Sequence, residues 1–347
     1  MSARQRVTLE SVAAHAKVSR QTVSNAINAP DVVKPETLTR VLESIAELGY
    51  QPSRAARQLR TRRSQILGYS LRPVPADAHG TIGDRFVHGL ARAAQQRGYR
   101  IMLFASGNDE EEILQYDELL SGADLDGFVL TNTHHGDPRI AWLAERDVPF
   151  VTFGRPWGNA DATHPWVDVD GAAGTAAATR HLHELGHTRI AYLGWPHGSG
   201  VGDDRRTGWS DVMAELGLPA DGRWQETTEN ATEPARDAAA TLLRRVSPGA
   251  VVCVSDSVAL GVIRAAEAQG RRLAVTGFDD SAVALLAGMT TLAQPVTESA
   301  QRALALVLRD IGVDTVGPAS RHEILAPQLV VRDTSIPPDP LPRTVGS

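Results

Sequence analysis

Residues 8–28 read TLESVAAHAKVSRQTVSNAIN, and the organisation of the whole chain can be worked outward from them. Leu9, Val12, Ala13 and Ala16 recur at helical spacing, with Thr8 placed to cap the helix they define. Lys17-Val18 make a short turn. Ser19 then caps a second helix, Arg20 to Asn28, which buries Val23 and Ile27 at i, i+4. A third helix begins at Pro35-Glu36, buries Leu38, Val41, Leu42, Ile45 and Leu48, and stops at Gly49. Three short helices with a tight turn between the first two describe a helix-turn-helix unit.

The second helix leaves Arg20, Gln21, Ser24, Asn25 and Asn28 facing outward. Arginine matches the two acceptors of guanine, and Gln or Asn matches adenine's donor–acceptor pair. Exposed at the amino end of a helix, that set suits a major groove. The plain alternative is a small polar helix with no ligand. Downstream, Pro52 to Arg63 predicts a helix of about two turns capped by Ser53, short of the ~12–15 residues at which isolated helices hold in water. Arg54 and Arg57 give it a basic face, and Leu59 is a wedge suited to prying apart minor-groove base steps. A basic linker is the alternative there.

Charge follows the same division. Residues 1–65 carry eleven Arg or Lys against five acids, a net of +6, while the rest of the 347-residue chain carries −12. A basic head on an acidic body points to a polyanion partner for the head alone. Length, with 42% hydrophobic and 22% charged residues, implies two or three globular domains. No apolar run approaches the ~20 residues of a membrane helix, and no signal core opens the chain, so a cytoplasmic, nucleoid-associated protein is expected. The single cysteine, Cys253, excludes an intrachain disulfide and a multi-cysteine zinc site, and within Val251–Val254 it reads as a buried strand residue.

The stretches VTLESVAAHAKVSRQTVSNAIN and GYQPSRAARQL closely resemble the DNA-binding head and hinge of the LacI/GalR family of bacterial transcription regulators. The resemblance implies that Arg20, Gln21 and Asn25 read bases. It places Thr8, Ser19, Thr22 and Asn28 on phosphates and Leu59 between base steps at the operator centre; outward-facing Ser24 and the basic Arg54 and Arg57, read from the pattern itself, are expected in the same interface. Two positions depart from the family pattern. Lys17 stands where glycine is common, a left-handed lysine costing about 1 kcal/mol, and Lys34 replaces the usual serine before Pro35.

From Ile66 onward, apolar runs at 66–71, 100–104, 127–130, 149–153, 190–193, 250–254 and 273–276 alternate with helical patterns. That rhythm predicts parallel sheets covered by helices on both faces, and its length predicts two lobes. The expected fold class is a small all-α head followed by a two-lobed α/β body. The resemblance extends to the body as a type I periplasmic-binding-protein fold, with chain crossings near 160–165, 293–296 and 317–321. The expected divisions are a head at 1–50, a hinge at 51–65, an effector-binding and dimerisation body at 66–332, and a disordered proline-rich tail at 333–347. That tail lacks the heptads of a tetramer-forming helix.

Clefts between such lobes bind small molecules at the carboxyl ends of the strands. Arg205-Arg206-Thr207-Gly208-Trp209 matches the family's Arg-x-x-Gly-aromatic motif and implies that Arg205 contacts the effector. Gly277-Phe278-Asp279-Asp280 implies that Asp279 accepts ligand hydroxyls; Ser255-Asp256 stands where the family often has Asn-Asp. Trp166 falls where effector-site aromatics are found, and Arg155 and Asp84 are further candidates. Arginine, carboxylate and indole suit a sugar, with a nucleoside as the alternative. Roles as a helix cap for Asp279 and as core for Trp166 also remain open.

Two strings point to other chemistry. His183-Glu184-Leu185-Gly186-His187 spells the zinc-protease H-E-x-x-H, but Gly186 predicts a helix stop that turns His187 away from His183. Gly198-Ser199-Gly200-Val201-Gly202 is spaced G-x-G-x-G without the acidic residue of a dinucleotide site, and reads as a flexible loop at the cleft edge. The expectation is a homodimeric, effector-controlled regulator on a palindromic operator, most often a repressor in this family, with no catalysis, metal or cofactor. A metallohydrolase or dehydrogenase, and a sugar-binding module without a genetic role, are the competing readings.

Overall fold

The caps read from the sequence are in place in the computed structural model, which describes residues 7–50, 63–73, 82–122, 125–313 and 320–336. Thr8 Oγ1 accepts the Ser11 backbone N–H at 3.3 Å and Ser11 Oγ accepts that of Thr8, opening α1 (Leu9–Ala16). Ser19 Oγ accepts the Thr22 N–H at 3.0 Å to open α2 (Arg20–Asn28). Pro35 opens α3 (Pro35–Leu48) behind Lys34, whose side chain makes no cap bond, and Gly49 ends it at φ 63°. Lys17 is left-handed at φ 55°, where its Cβ crowds the next carbonyl. Val12, Ala13, Ala16, Val23, Ala26, Val41 and Tyr50 close the core of this unit, which spans Met1–Ser64. Leu42, expected inside, is 49% exposed. Buried Ser44 lies against α1 instead, its hydroxyl donating to Arg40 O at 2.8 Å and bonding His15 Nδ1 at 3.0 Å.

The second unit is Gln65–Ser347. Its first lobe is built from β1 (Ile66–Leu71), α4 (Ile82–Gln96), β2 (Arg100–Ala105), α5 (Asp109–Gly122), β3 (Gly127–Leu130), α6 (Pro138–Ala144), β4 (Phe150–Phe153) and β5 (Trp166–Val169). The chain then crosses at Asp170 into α7 (Gly171–Glu184), β6 (Ile190–Gly194), α8 (Gly200–Glu215), β7 (Gln225–Thr227), α9 (Thr232–Val246) and β8 (Ala250–Cys253). The second lobe continues with α10 (Asp256–Ala268), β9 (Ala274–Thr276), α11 (Ala282–Leu286) and β10 (Thr291–Ala293). At Gln294-Pro295 the chain returns to α12 (Val296–Asp310), packed in the first lobe's core, and β11 (His322–Leu325). A last crossing at Ala326-Pro327 leads to β12 (Gln328–Val330).

The first sheet runs β11-β5-β4-β3-β1-β2 and the second β7-β6-β8-β9, both parallel, while β10 pairs antiparallel with β12. Helices cover both faces, so β3 and β8 are buried along their whole length. Cys253 lies in β8, and burial pushes its thiol well above the ordinary range. Two crossings fall later than the resemblance implies, at 170 rather than 160–165 and at 326–327 rather than 317–321. The reason is that β5 and β11 pair in register from Trp166–His322 to Val169–Leu325, extending the first sheet instead of bridging the lobes.

The expected start of a disordered tail at Asp333 is also corrected. Asp333–Ser335 form a 3-10 turn laced onto the second lobe: Thr334 Oγ1 donates to Val275 O at 2.8 Å and accepts the Thr290 N–H at 2.9 Å. Buried Ser335 bonds Thr290 Oγ1 at 2.7 Å and His181 Nε2 at 2.9 Å. The remainder, 337–347, lies outside the described residues.

Candidate nucleic-acid interface and effector cleft

On α2, Arg20 and Gln21 are exposed in the first turn, Thr22, Ser24 and Asn25 are half-buried, and Asn28 is exposed at the far end. Arg20 NH1 lies 2.9 Å from Glu10 Oε1, and Gln21 Nε2 donates to Asn25 Oδ1 at 2.9 Å. Asn28 Nδ2 donates to Ser24 O at 2.7 Å, and Ser19 and Thr22 join hydroxyls at 2.9 Å. The helix thus presents a guanidinium and a linked amide pair at its amino end, the donor and acceptor types that base edges require. Thr8 and Ser19 are helix caps, so each marks an amino terminus whose backbone N–H groups suit a phosphate. Arg54, Arg57 and Leu59 lie outside the described residues.

In the second unit, Arg205 and Asp279 meet at the carboxyl ends of the second sheet. Arg205, on α8, is buried, donates from NH1 to Val254 O at 2.6 Å, and stacks its guanidinium 3.6 Å from the Phe278 ring centroid. The same NH1 lies 3.6 Å from Asp279 Oδ1, which also accepts from Gln294 Nε2 at 2.7 Å. Asp279 follows β9 at φ 118°, a backbone conformation rare outside glycine. Burial pushes its carboxyl up to about 6, against the pull of Arg205. The first lobe reaches the same place through Arg85, whose NH1 donates to Asp279 O at 2.8 Å.

Other candidates take different positions. Arg155, just past β4, ties the lobes together: Nε donates to Asp168 Oδ2 at 2.6 Å, and NH2 lies 3.2 Å from Asp204 Oδ2, beside Arg205 on α8. Burial raises both carboxyls while Arg155 pulls them down. Ser255 is committed to capping α10 and donates to Asn230 Oδ1 at 2.6 Å, which makes Asn230 the outer group. Asp84 is exposed in the first turn of α4, next to Arg85. Trp166 is the first residue of β5 and stacks on His322, the first of β11, with centroids 4.9 Å apart. It stands at the amino ends of the strands, away from the cleft.

The aromatic positions beside Arg155 and Arg205 belong instead to Trp157, four residues past β4, and Trp195, just past β6. Arg155 lies over the Trp157 ring at 4.7 Å and Arg205 over Trp195 at 5.6 Å. Among the described residues, nothing accepts a hydrogen bond from the buried Nε of Arg205 or from either indole N–H. Both tryptophans press on the first turn of α8, where a Cβ on Gly200 would come 2.2 Å from Trp157 and one on Gly202 3.2 Å from Trp195. A tryptophan directly after a buried strand, followed by paired glycines, is a signal that could have located Trp195; Trp157, four residues past β4, carries no such mark. On the first lobe, buried Arg139 joins Asp137 at 2.6 Å and Glu112 at 3.1 Å, and Arg72 joins Asp109 at 2.6 Å. Asp109, Asp137 and His134 are close enough to hold a cation, but these arginines already pair the carboxylates.

"Bacterial regulatory proteins, lacI family" matches residues 8–53, and "Periplasmic binding proteins and sugar binding domain of LacI family" matches residues 84–313. The chain belongs to the LacI family. It is 35% identical over 352 residues to the HTH-type transcriptional regulator CelR of Thermobifida fusca, covering 96% of this chain and 100% of that one. Its structure resembles a LacI-family regulatory protein from Chloroflexus aggregans (32% identity, TM-score 0.72, 79% of this chain and 99% of that one). It also resembles a CelR–cellobiose complex (31%, 0.71, 95% and 100%).

This LacI-family chain is a DNA-binding transcription regulator and not an enzyme. The two competing strings have structural duties. α7 stops at Glu184 and Gly186 turns at φ 92°, so His187 lies beyond the helix. The glycines at 200 and 202 are the first turn of α8, capped by Ser199, rather than a flexible loop. Among the described residues, no helix is long and apolar enough to cross a membrane.

Proposed function

We propose that this LacI-family regulator binds a sugar between its lobes and, as a homodimer on a palindromic operator, converts that binding into altered DNA affinity. The unmatched buried donors on Arg205, which pairs with the Asp279 carboxylate, on Trp195 against Arg205 and on Trp157 against Arg155 are the observation that carries the reading. An unmatched buried donor costs on the order of 1–3 kcal/mol. Sugar hydroxyls both accept and donate, so they satisfy the arginine, the indoles and the carboxylate together, and an indole covers the C–H face of a pyranose. The cellobiose in the CelR complex supports the same ligand class. Arg155, Asn230 and Arg85 shape the cleft rather than Trp166.

On the DNA, Arg20, Gln21 and Asn25 read bases. Thr8, Ser19, Thr22, Ser24 and Asn28 set the head on the backbone, and Arg54, Arg57 and Leu59 engage the minor groove. The angle between lobes sets the spacing of the two hinges, a coupling of typically ~1–3 kcal/mol. Leu285 and Leu286 on α11, 67% and 87% exposed, support a dimer by offering an apolar surface. The protein works in the cytoplasm, at the nucleoid.

The test is a genomic DNA pull-down at moderate salt, which suppresses phosphate-only binding, followed by titration of the bound operator with mono- and disaccharides. A palindromic site whose affinity shifts with a saccharide is expected. Release identifies an inducer and tightening a corepressor. A shift produced by nucleosides alone refutes the sugar.

A further inference from the structure

The reading helix is touched by an acid from the neighbouring helix. Glu10, in the first turn of α1, places Oε1 2.9 Å from Arg20 NH1, with both side chains about two-thirds exposed (67% and 69%). Acids are scarce in this segment, where basic residues outnumber them eleven to five. A carboxylate on a DNA-facing surface repels phosphate, so its cost to general affinity calls for a compensating role.

We propose that Glu10 is a positioning residue that sets the preference of Arg20 for guanine; the inference rests on Arg20 being a base reader. A guanidinium offers five N–H donors in a rigid fork. With NH1 engaged by Glu10, the Nε and NH2 edge is left, two parallel donors that match guanine O6 and N7. A free arginine on the first turn of a helix swings equally well to a phosphate, a strong contact that carries no sequence information. Glu10 opposes that alternative twice, by holding the guanidinium and by repelling the phosphate it would reach. The second reader is held in the same way, since Gln21 is bonded to Asn25.

Selection from randomised duplexes with the full-length wild type, Arg20→Ala, Glu10→Gln and Ser11→Ala tests the proposal. The wild type selects a guanine in each half-site that Arg20→Ala no longer selects. Glu10→Gln binds random-sequence DNA several-fold more tightly, yet its discrimination at that one guanine falls about five- to tenfold, within the range a bidentate contact supplies. Other positions keep their preferences. Ser11→Ala, which loosens the helix start but retains the carboxylate, leaves the guanine preference intact. Uniformly tighter binding by Glu10→Gln with the guanine preference retained overturns the proposal while leaving Arg20 a base reader. Relaxed preference in Ser11→Ala matching that of Glu10→Gln also overturns it, assigning the effect to the helix start. Persistence of the guanine in Arg20→Ala overturns the base-reader assignment itself.

Discussion

Effector affinity is expected to fall as pH drops through about 6, the value to which burial pushes the Asp279 carboxyl. An ordinary aspartate titrates near 3.9, so it stays more than nine-tenths ionised at about pH 5. With its pKa near 6, Asp279 is almost fully ionised at pH 7.5 and roughly one-tenth ionised at pH 5. If ligand hydroxyls donate to the ionised carboxylate, the apparent affinity falls about tenfold over that interval, ~1.4 kcal/mol. Hydroxyl donation lowers the pKa in the complex, so binding near pH 6 releases protons. Titration calorimetry in two buffers of different ionisation enthalpy measures both quantities.

The fold responds with the opposite sign. A carboxyl whose pKa is higher folded than unfolded contributes stability that is present at low pH and lost as pH rises through about 6. Lost affinity at pH 5 is therefore not caused by unfolding at this group. Flat affinity from pH 7.5 to 5, or an Asp279→Asn variant with an unchanged pH slope, refutes the reasoning.

Replacing left-handed Lys17 with glycine should stabilise the head by about 1 kcal/mol. Amide exchange in α1 and α2 of the full chain should slow about fivefold, and unchanged exchange counts against strain at Lys17. Arg139→Ala leaves the buried Asp137 carboxylate without its arginine, while Glu112 keeps Arg72 at 2.6 Å, and should cost about 3 kcal/mol, the lower end for a broken buried pair, read as a lowered urea midpoint. A loss below about 1 kcal/mol would place that network in surface-like solvent. Leu59→Ala should weaken operator binding without lowering the melting temperature, and equal affinity would dismiss the wedge.

The head was legible because its determinants are local. Thr8, Ser19, Pro35 and Gly49 act within one turn of where they stand, and the apolar spacing identifies most inner faces without reference to the rest of the chain. Leu42 departs because, among the described residues, no other helix fully covers the face on which the spacing places it. In the body, the alternation of buried runs and helices predicts parallel sheets, and two short motifs bring Arg205 and Asp279 together.

The partners were decided by tertiary structure. Arg155 and Asp204 are 49 residues apart, and Arg85 and Asp279 are 194 apart. Those separations carry no periodicity from which a pairing could be read. Which end of a strand a tryptophan occupies depends on where pairing begins. Register with β11 therefore put Trp166 at the far end of the sheet, while Trp157 and Trp195 came to the cleft. The same holds for Thr334 and Ser335, polar residues in a proline-rich tail whose only structural signal is a set of hydrogen bonds to strands and helices far earlier in the chain. Periodicity and caps encode single elements; the cleft is made by groups that become neighbours only after the elements have packed.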